Sequence, residues 1–72
     1  MKKTFKMVDL DCAHCAAKMQ AAIEKLEGVE KVSVNFLTQK MTLEADDARF
    51  DEIFTQAVAA CKKVDPDCDV VK

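Results

Sequence analysis

Each run of period-two alternation in this sequence has one apolar side and one mainly polar side. Phe5 and Met7 alternate with Thr4, Lys6 and Val8; Val32, Val34 and Phe36 alternate with Lys31, Ser33 and Asn35; Met41, Leu43 and Ala45 alternate with Lys40, Thr42 and Glu44. A sheet built from such runs sets one face against a core and the other in water, which argues for an antiparallel sheet covered on one side. Two other segments have the helical period. Between Ala13 and Leu26 the apolar positions Ala16, Met19, Ile23 and Leu26 recur at helical spacing, and Glu27-Gly28 supplies a stop because glycine accepts the left-handed conformation that ends helices. Behind the capping residues Asp46 and Asp47, the residues Phe50, Ile53, Phe54, Ala57, Val58 and Cys61 fall on one helical stripe.

A Leu37-Thr38-Gln39 connection joins the second and third runs as a hairpin. Pro66 sits in a polar turn, Asp65 to Asp67, after which Cys68 and Val70 point inward from a short last strand. The order strand, helix, strand, strand, helix, strand predicts an α+β fold, a ferredoxin-like βαββαβ sandwich with a four-stranded antiparallel sheet and two helices on one face, in one domain spanning residues 1–72. Right-handed crossovers then bring the end of the first strand, the hairpin turn and the end of the second helix to one edge. Cys61, Lys62, Lys63 and Cys68 are expected there, beside Cys12 and Cys15.

The chemistry lies in Asp9-Leu10-Asp11-Cys12-Ala13-His14-Cys15. Thiols three positions apart at a helix start turn toward one point, and the free N–H groups and positive dipole end favour thiolate, the form that metals bind. Thiolates select soft or borderline ions such as Cu(I), Zn(II), Cd(II) and Pb(II), and a carboxylate beside them suits a divalent ion better than a monovalent one. Cys12, Cys15 and Asp11 are therefore the metal candidates, with Zn(II), Cd(II) or Pb(II) ahead of Cu(I) and one ion per chain. Asp11 serves equally well as an N-terminal helix cap. The same Cys-x-x-Cys spacing also occurs in thiol-disulfide oxidoreductases and half zinc-fingers. Against the redox alternative, the chain is shorter than a thioredoxin-like domain, and Pro66 follows an aspartate in a turn instead of opening a strand opposite the thiols.

The remaining chemically suggestive residues have plainer uses. His14 points outward from the first helical turn; Cys61 and Cys68 continue apolar patterns and belong to the core, with a fourth-ligand role as the sharper alternative. Lys62 and Lys63 are solvated charges at a helix end, where they also offset a dithiolate-metal centre. A net charge of -2 leaves no basic surface for nucleic acid or anionic lipid. No apolar run approaches the roughly 18 residues of a membrane span, and the amino-terminal residues do not form a leader. A cytoplasmic location is expected, where the four cysteines stay reduced and favour metal or redox chemistry over disulfides.

Taken jointly, Phe5-x-Met7-x-x-Leu10-x-Cys12-x-x-Cys15, then Ala16, Met19 and Ile23, then Gly28-Val29 before Val32-x-Val34, resemble the heavy-metal-associated domain of small metallochaperones and of the N-terminal extensions of metal-exporting P-type ATPases. The resemblance covers nearly the whole chain. It implies that Cys12 and Cys15 bind the metal, with a metal-transporting P-type ATPase or another metal-binding domain as partner. Copper members usually read Gly-Met-Thr before the first cysteine; Asp9-Leu10-Asp11 here resembles the zinc, cadmium and lead exporters. The Gly-Tyr or Gly-Phe of many copper members before the last strand is replaced by Lys62-Lys63-Val64-Asp65-Pro66. The implied protein is no enzyme: it transfers its ion by ligand exchange, as a monomer or a metal-bridged dimer. The start at Met1 and end at Lys72 suggest a free-standing carrier, with an excised or sensing domain of a pump as the alternative.

Overall fold

The computed structural model describes residues 1–71. The elements run β1 (Lys2–Val8), α1 (Ala13–Glu24), β2 (Val29–Asn35), β3 (Lys40–Ala45), a 3-10 turn (Asp47–Arg49), α2 (Phe50–Val64) and β4 (Asp69–Val71). The sheet order is β2-β3-β1-β4, with every neighbouring pair antiparallel. This is the ferredoxin-like sandwich that the one-sided alternation predicts.

The core forms where the apolar sides of the strands meet both helical stripes. Phe5 and Met7 from β1 and Met41 and Leu43 from β3 are buried against Met19 and Ile23 of α1 and Ile53, Phe54, Ala57 and Cys61 of α2. The ring of Phe5 lies 4.4 Å from that of Phe54 and 6.2 Å from that of Phe50, so one strand residue ties β1 to the second helix.

Several boundaries differ from the sequence reading: β1 starts at Lys2, a 3-10 turn separates Asp46 from α2, and β4 starts at Asp69, after Cys68. Helix α1 stops at Glu24 instead of Leu26, because the Leu26 N–H donates to the Ile23 carbonyl, 3.0 Å, three residues back, and breaks the helical ladder. A separate turn follows, closed by the Val29 N–H to the Leu26 carbonyl at 3.3 Å, with Gly28 as its third residue at φ +94°. A β-carbon at Gly28 would also stand 2.7 Å from Ile53 Cδ1, so glycine serves both the turn and its close approach to α2. The hairpin connection has four residues, Phe36 to Gln39, between the paired Asn35 and Lys40. Phe36 leaves the strand because the Thr38 N–H donates to Asn35 Oδ1 at 3.1 Å, closing the turn one residue early.

The predicted convergence at one edge is present. Gln39 in the hairpin turn hydrogen-bonds Leu10 after β1. Asp65, just past α2, acts electrostatically on both Cys12 and Cys15.

Candidate metal centre

The loop that carries the sulfurs is shaped by alternate exposure and burial. After Val8 the backbone turns through Asp9 at φ +61°, Leu10 is buried in the core, and Asp11 is exposed again. Cys12 is extended, with φ -135° and ψ 117°, and its carbonyl accepts the Ala16 N–H at 3.1 Å. That makes Cys12 the N-cap of α1. Its sulfur accepts the Cys15 N–H at 3.2 Å. The capping role considered for Asp11 therefore falls to Cys12: Asp11 lies one residue too early, before the residue whose carbonyl starts the helical ladder.

This local geometry makes the two thiols unequal. Cys12 is held below the ordinary thiol value, first by its hydrogen bond with the Cys15 thiol, then by the Cys15 backbone N–H, with a smaller contribution from the His14 N–H. Cys15 moves the other way, because it donates to Cys12, is desolvated, and feels the negative charges of Cys12 and Asp65. Of the two, Cys12 therefore gives up its proton more readily. A soft cation bound there displaces the thiol protons and gains both sulfurs.

The helix start gathers a pair of donors and no larger set. Among the described residues no three His, Cys, Asp or Glu side chains are grouped so as to hold a metal ion. Asp11 is next to Cys12 in sequence and exposed, and His14 points to solvent as expected. Cys61 and Cys68 reach the same end of the domain but are fully buried, and burial pushes Cys61 up to about 11 and raises Cys68 as well. Both are core residues in this structure.

Two neighbouring charges escaped the sequence reading. Lys18, one turn beyond Cys15 on α1, favours the Cys15 thiolate, whereas Asp65 opposes both thiolates. Lys62 is engaged elsewhere: it pairs with Asp69 and reaches the Pro66 carbonyl at 3.5 Å, bracing the turn into β4. The spacing of three from Cys15 to Lys18 on one helix was the available signal. Asp65 became relevant only through the fold.

The family model of the heavy-metal-associated domain matches residues 4–64. The copper chaperone CopZ of Enterococcus hirae is 31% identical over 64 residues, covering 89% of this chain and 86% of that protein. The zinc/cadmium/lead-transporting P-type ATPase of Escherichia coli is 37% identical over 60 residues, which are 83% of this chain but 8% of the transporter. The chain thus spans most of one relative and a small fraction of the other. Among solved structures, the N-terminal domain of ZntA in its Zn(II) form superposes with a TM-score of 0.73 at 32% identity, covering 96% of this chain and 86% of that one.

Proposed function

The chain belongs to the heavy-metal-associated domain family, and on that premise we propose that it binds one soft or borderline heavy-metal ion through Cys12 and Cys15 and passes it to a partner by ligand exchange. The observation that carries this is the thiol pair at the start of α1, where the Cys12 sulfur accepts the Cys15 N–H and its thiol is held below the ordinary value. Zn(II), Cd(II) or Pb(II) is the cargo favoured, with Cu(I) the alternative. Asp11, exposed and next to Cys12 in sequence, is not grouped with the pair in the metal-free chain and would turn in as a hard donor when a divalent ion binds, and the negative charge of Asp65 nearby favours a dication further. That one relative is named for copper and another for zinc, cadmium and lead leaves both cargo classes within reach of this fold.

Transfer needs no reaction of the protein's own. A thiolate of the receiving protein bonds to the ion, one of the two cysteines leaves it and takes up a proton, and the second follows. A metal-transporting P-type ATPase, or another domain with paired thiolates, is the partner this exchange fits, with both partners on the cytoplasmic side. Either a free carrier or the amino-terminal domain of a pump would use the same steps.

Competition titrations at fixed free-ion levels test the cargo. Asp11→Ala is expected to weaken Zn(II) and Cd(II) binding by at least about tenfold, the scale on which even outer partners of a metal ligand act, and to leave Cu(I) binding unchanged. If Zn(II) and Cd(II) affinities do not move, Asp11 is no ligand and the divalent assignment loses its basis. In the same samples Cd(II) should protect two thiols from alkylation. Burial already shields Cys61 and Cys68 from alkylation, so a Cd(II)–thiolate ultraviolet band that weakens in Cys61→Ala/Cys68→Ala is what would bring them into the site. A disulfide-exchange function shares the same lowered thiol, and catalysed reduction of a protein disulfide by the dithiol form would favour it over metal transfer.

A further inference from the structure

Asp9 and Gln39 are the two residues other than glycine with positive φ among those described, at +61° and +56°. They lie on different elements that meet at the metal loop. A left-handed residue other than glycine, asparagine or aspartate is strained and persists where its surroundings hold it there. At Gln39 the holding is explicit. Its Nε2 donates to the Leu10 carbonyl at 2.6 Å and to the Phe36 carbonyl at 2.9 Å, its Oε1 accepts the Leu10 N–H at 3.2 Å, and its own carbonyl accepts the Met7 N–H at 2.8 Å. One side-chain amide thus satisfies both backbone groups of Leu10, as a neighbouring strand would, at a point where β1 has already ended.

Leu10 is two residues before Cys12, and its side chain is buried. With the side chain fixed below by the core and the backbone fixed on its outer side by Gln39, the residue has no freedom to let the following loop swing. We infer that Gln39 is a positioning residue for metal handling: by clamping the Leu10 backbone to the hairpin turn, it sets where Cys12 presents its sulfur and how readily the Asp11–Cys15 segment moves during ligand exchange. The inference rests on the proposed metal binding at Cys12 and Cys15, and it adds a control point on an element that contributes no ligand. A site whose donors lie on a loop depends on such supporting contacts for its geometry.

Gln39→Gly separates this role from a merely structural one. Glycine takes the positive φ without strain, which offsets part of what the lost hydrogen bonds cost, so the fold should still unfold cooperatively in urea, at a midpoint no higher than the native one. The clamp is nevertheless gone. Amide exchange at Leu10 in the metal-free protein should then quicken by about tenfold or more, because the bonds that hold its backbone closed are lost, while amides of Met19 and Leu43 keep their protection. Release of bound Cd(II) to a competing chelator should accelerate by a similar factor. Gln39→Glu, which keeps the chain length and the acceptor for Leu10 but cannot donate to its carbonyl when ionised, should fall in the same direction.

Unchanged exchange at Leu10 in Gln39→Gly would show that the amide does not hold the loop, and the inference would be overturned. A loosened Leu10 with native Cd(II) release would equally overturn it, since the clamp would then not govern the metal. Failure of the native protein to take up Cd(II) is seen before any variant is made, and it sinks the binding proposal itself.

Discussion

Cys12 and Cys15 on one side, and Cys61 and Cys68 on the other, are the same residue in the same small domain and converge on the same edge, yet the fold gives them opposite chemistry. The first pair is half-exposed at a helix start, where the Cys15 thiol first and backbone N–H groups next draw Cys12 down. The second is sealed among apolar side chains, where burial raises both thiols. Sulfur responds to what faces it: N–H groups favour the thiolate and hydrocarbon favours the thiol. Nearness to a metal loop is therefore not enough to make a ligand.

The sharpest break in this comparison comes from replacing the exposed pair. Cys12→Ser and Cys15→Ser should each abolish stoichiometric Zn(II) and Cd(II) binding, because a hydroxyl does not ionise near neutral pH. Stability should change by no more than about 0.5 kcal/mol at position 12, where serine is itself a good N-cap, and by about 1 kcal/mol at position 15, whose side chain packs against the core. Titration of each variant beside urea unfolding checks both halves. A large loss of stability without loss of binding would reverse the roles assigned to the two regions.

The next effect belongs to the buried region. Phe54→Ala removes a ring packed on Phe5 at a cost of ~3 to 5 kcal/mol, much of what a domain of this size has to spare. The buried pair should then behave like the exposed one. Cys61 and Cys68 should become reactive toward alkylating agents as fast as Cys12, whereas in the native protein they react only as it unfolds. Native-like circular dichroism together with unreactive Cys61 and Cys68 would show that Phe54 is not the support that its position implies.

How much of this was legible beforehand follows from the same contrast. Periodicity alone marked Cys61 as a core residue, since it continues the stripe of Phe50, Ile53, Phe54 and Ala57, and all of these are buried. It also gave the topology, and so the meeting of Leu10, the hairpin and the end of α2 at one edge. It did not show that Cys12 itself caps α1 in place of Asp11, because the choice depends on which residue is the last extended one, a matter of backbone angles within a single residue. Nor could it show Gln39 clamped on Leu10, residues 29 apart in sequence, whose pairing follows from a four-residue turn that the alternation pattern read as three. Lys62 looked free for the site, and its pairing with Asp69 needed the return of β4.

The smallest expected effect concerns alkaline pH and isolates the buried pair from everything else that titrates. Cys61 stands near 11 in the folded protein, chiefly because it is buried and next because Cys68 is close, against an ordinary value of 9.0 that it regains on unfolding. The folded state therefore holds this proton more tightly than the unfolded state does. That contribution to stability is complete below pH 9 and is lost as the pH rises through about 11. Lysines deprotonate over part of the same range, so the native curve alone is ambiguous. The difference between the native protein and Cys61→Ala/Cys68→Ala removes them, since both proteins carry the same lysines. Urea midpoints of the two proteins should differ by a constant amount below pH 9, the native one being more stable, and should converge as the pH approaches 11. A gap that stays constant to high pH would mean that the buried thiols are not held neutral by the fold, and the contrast with Cys12 would then come from exposure alone.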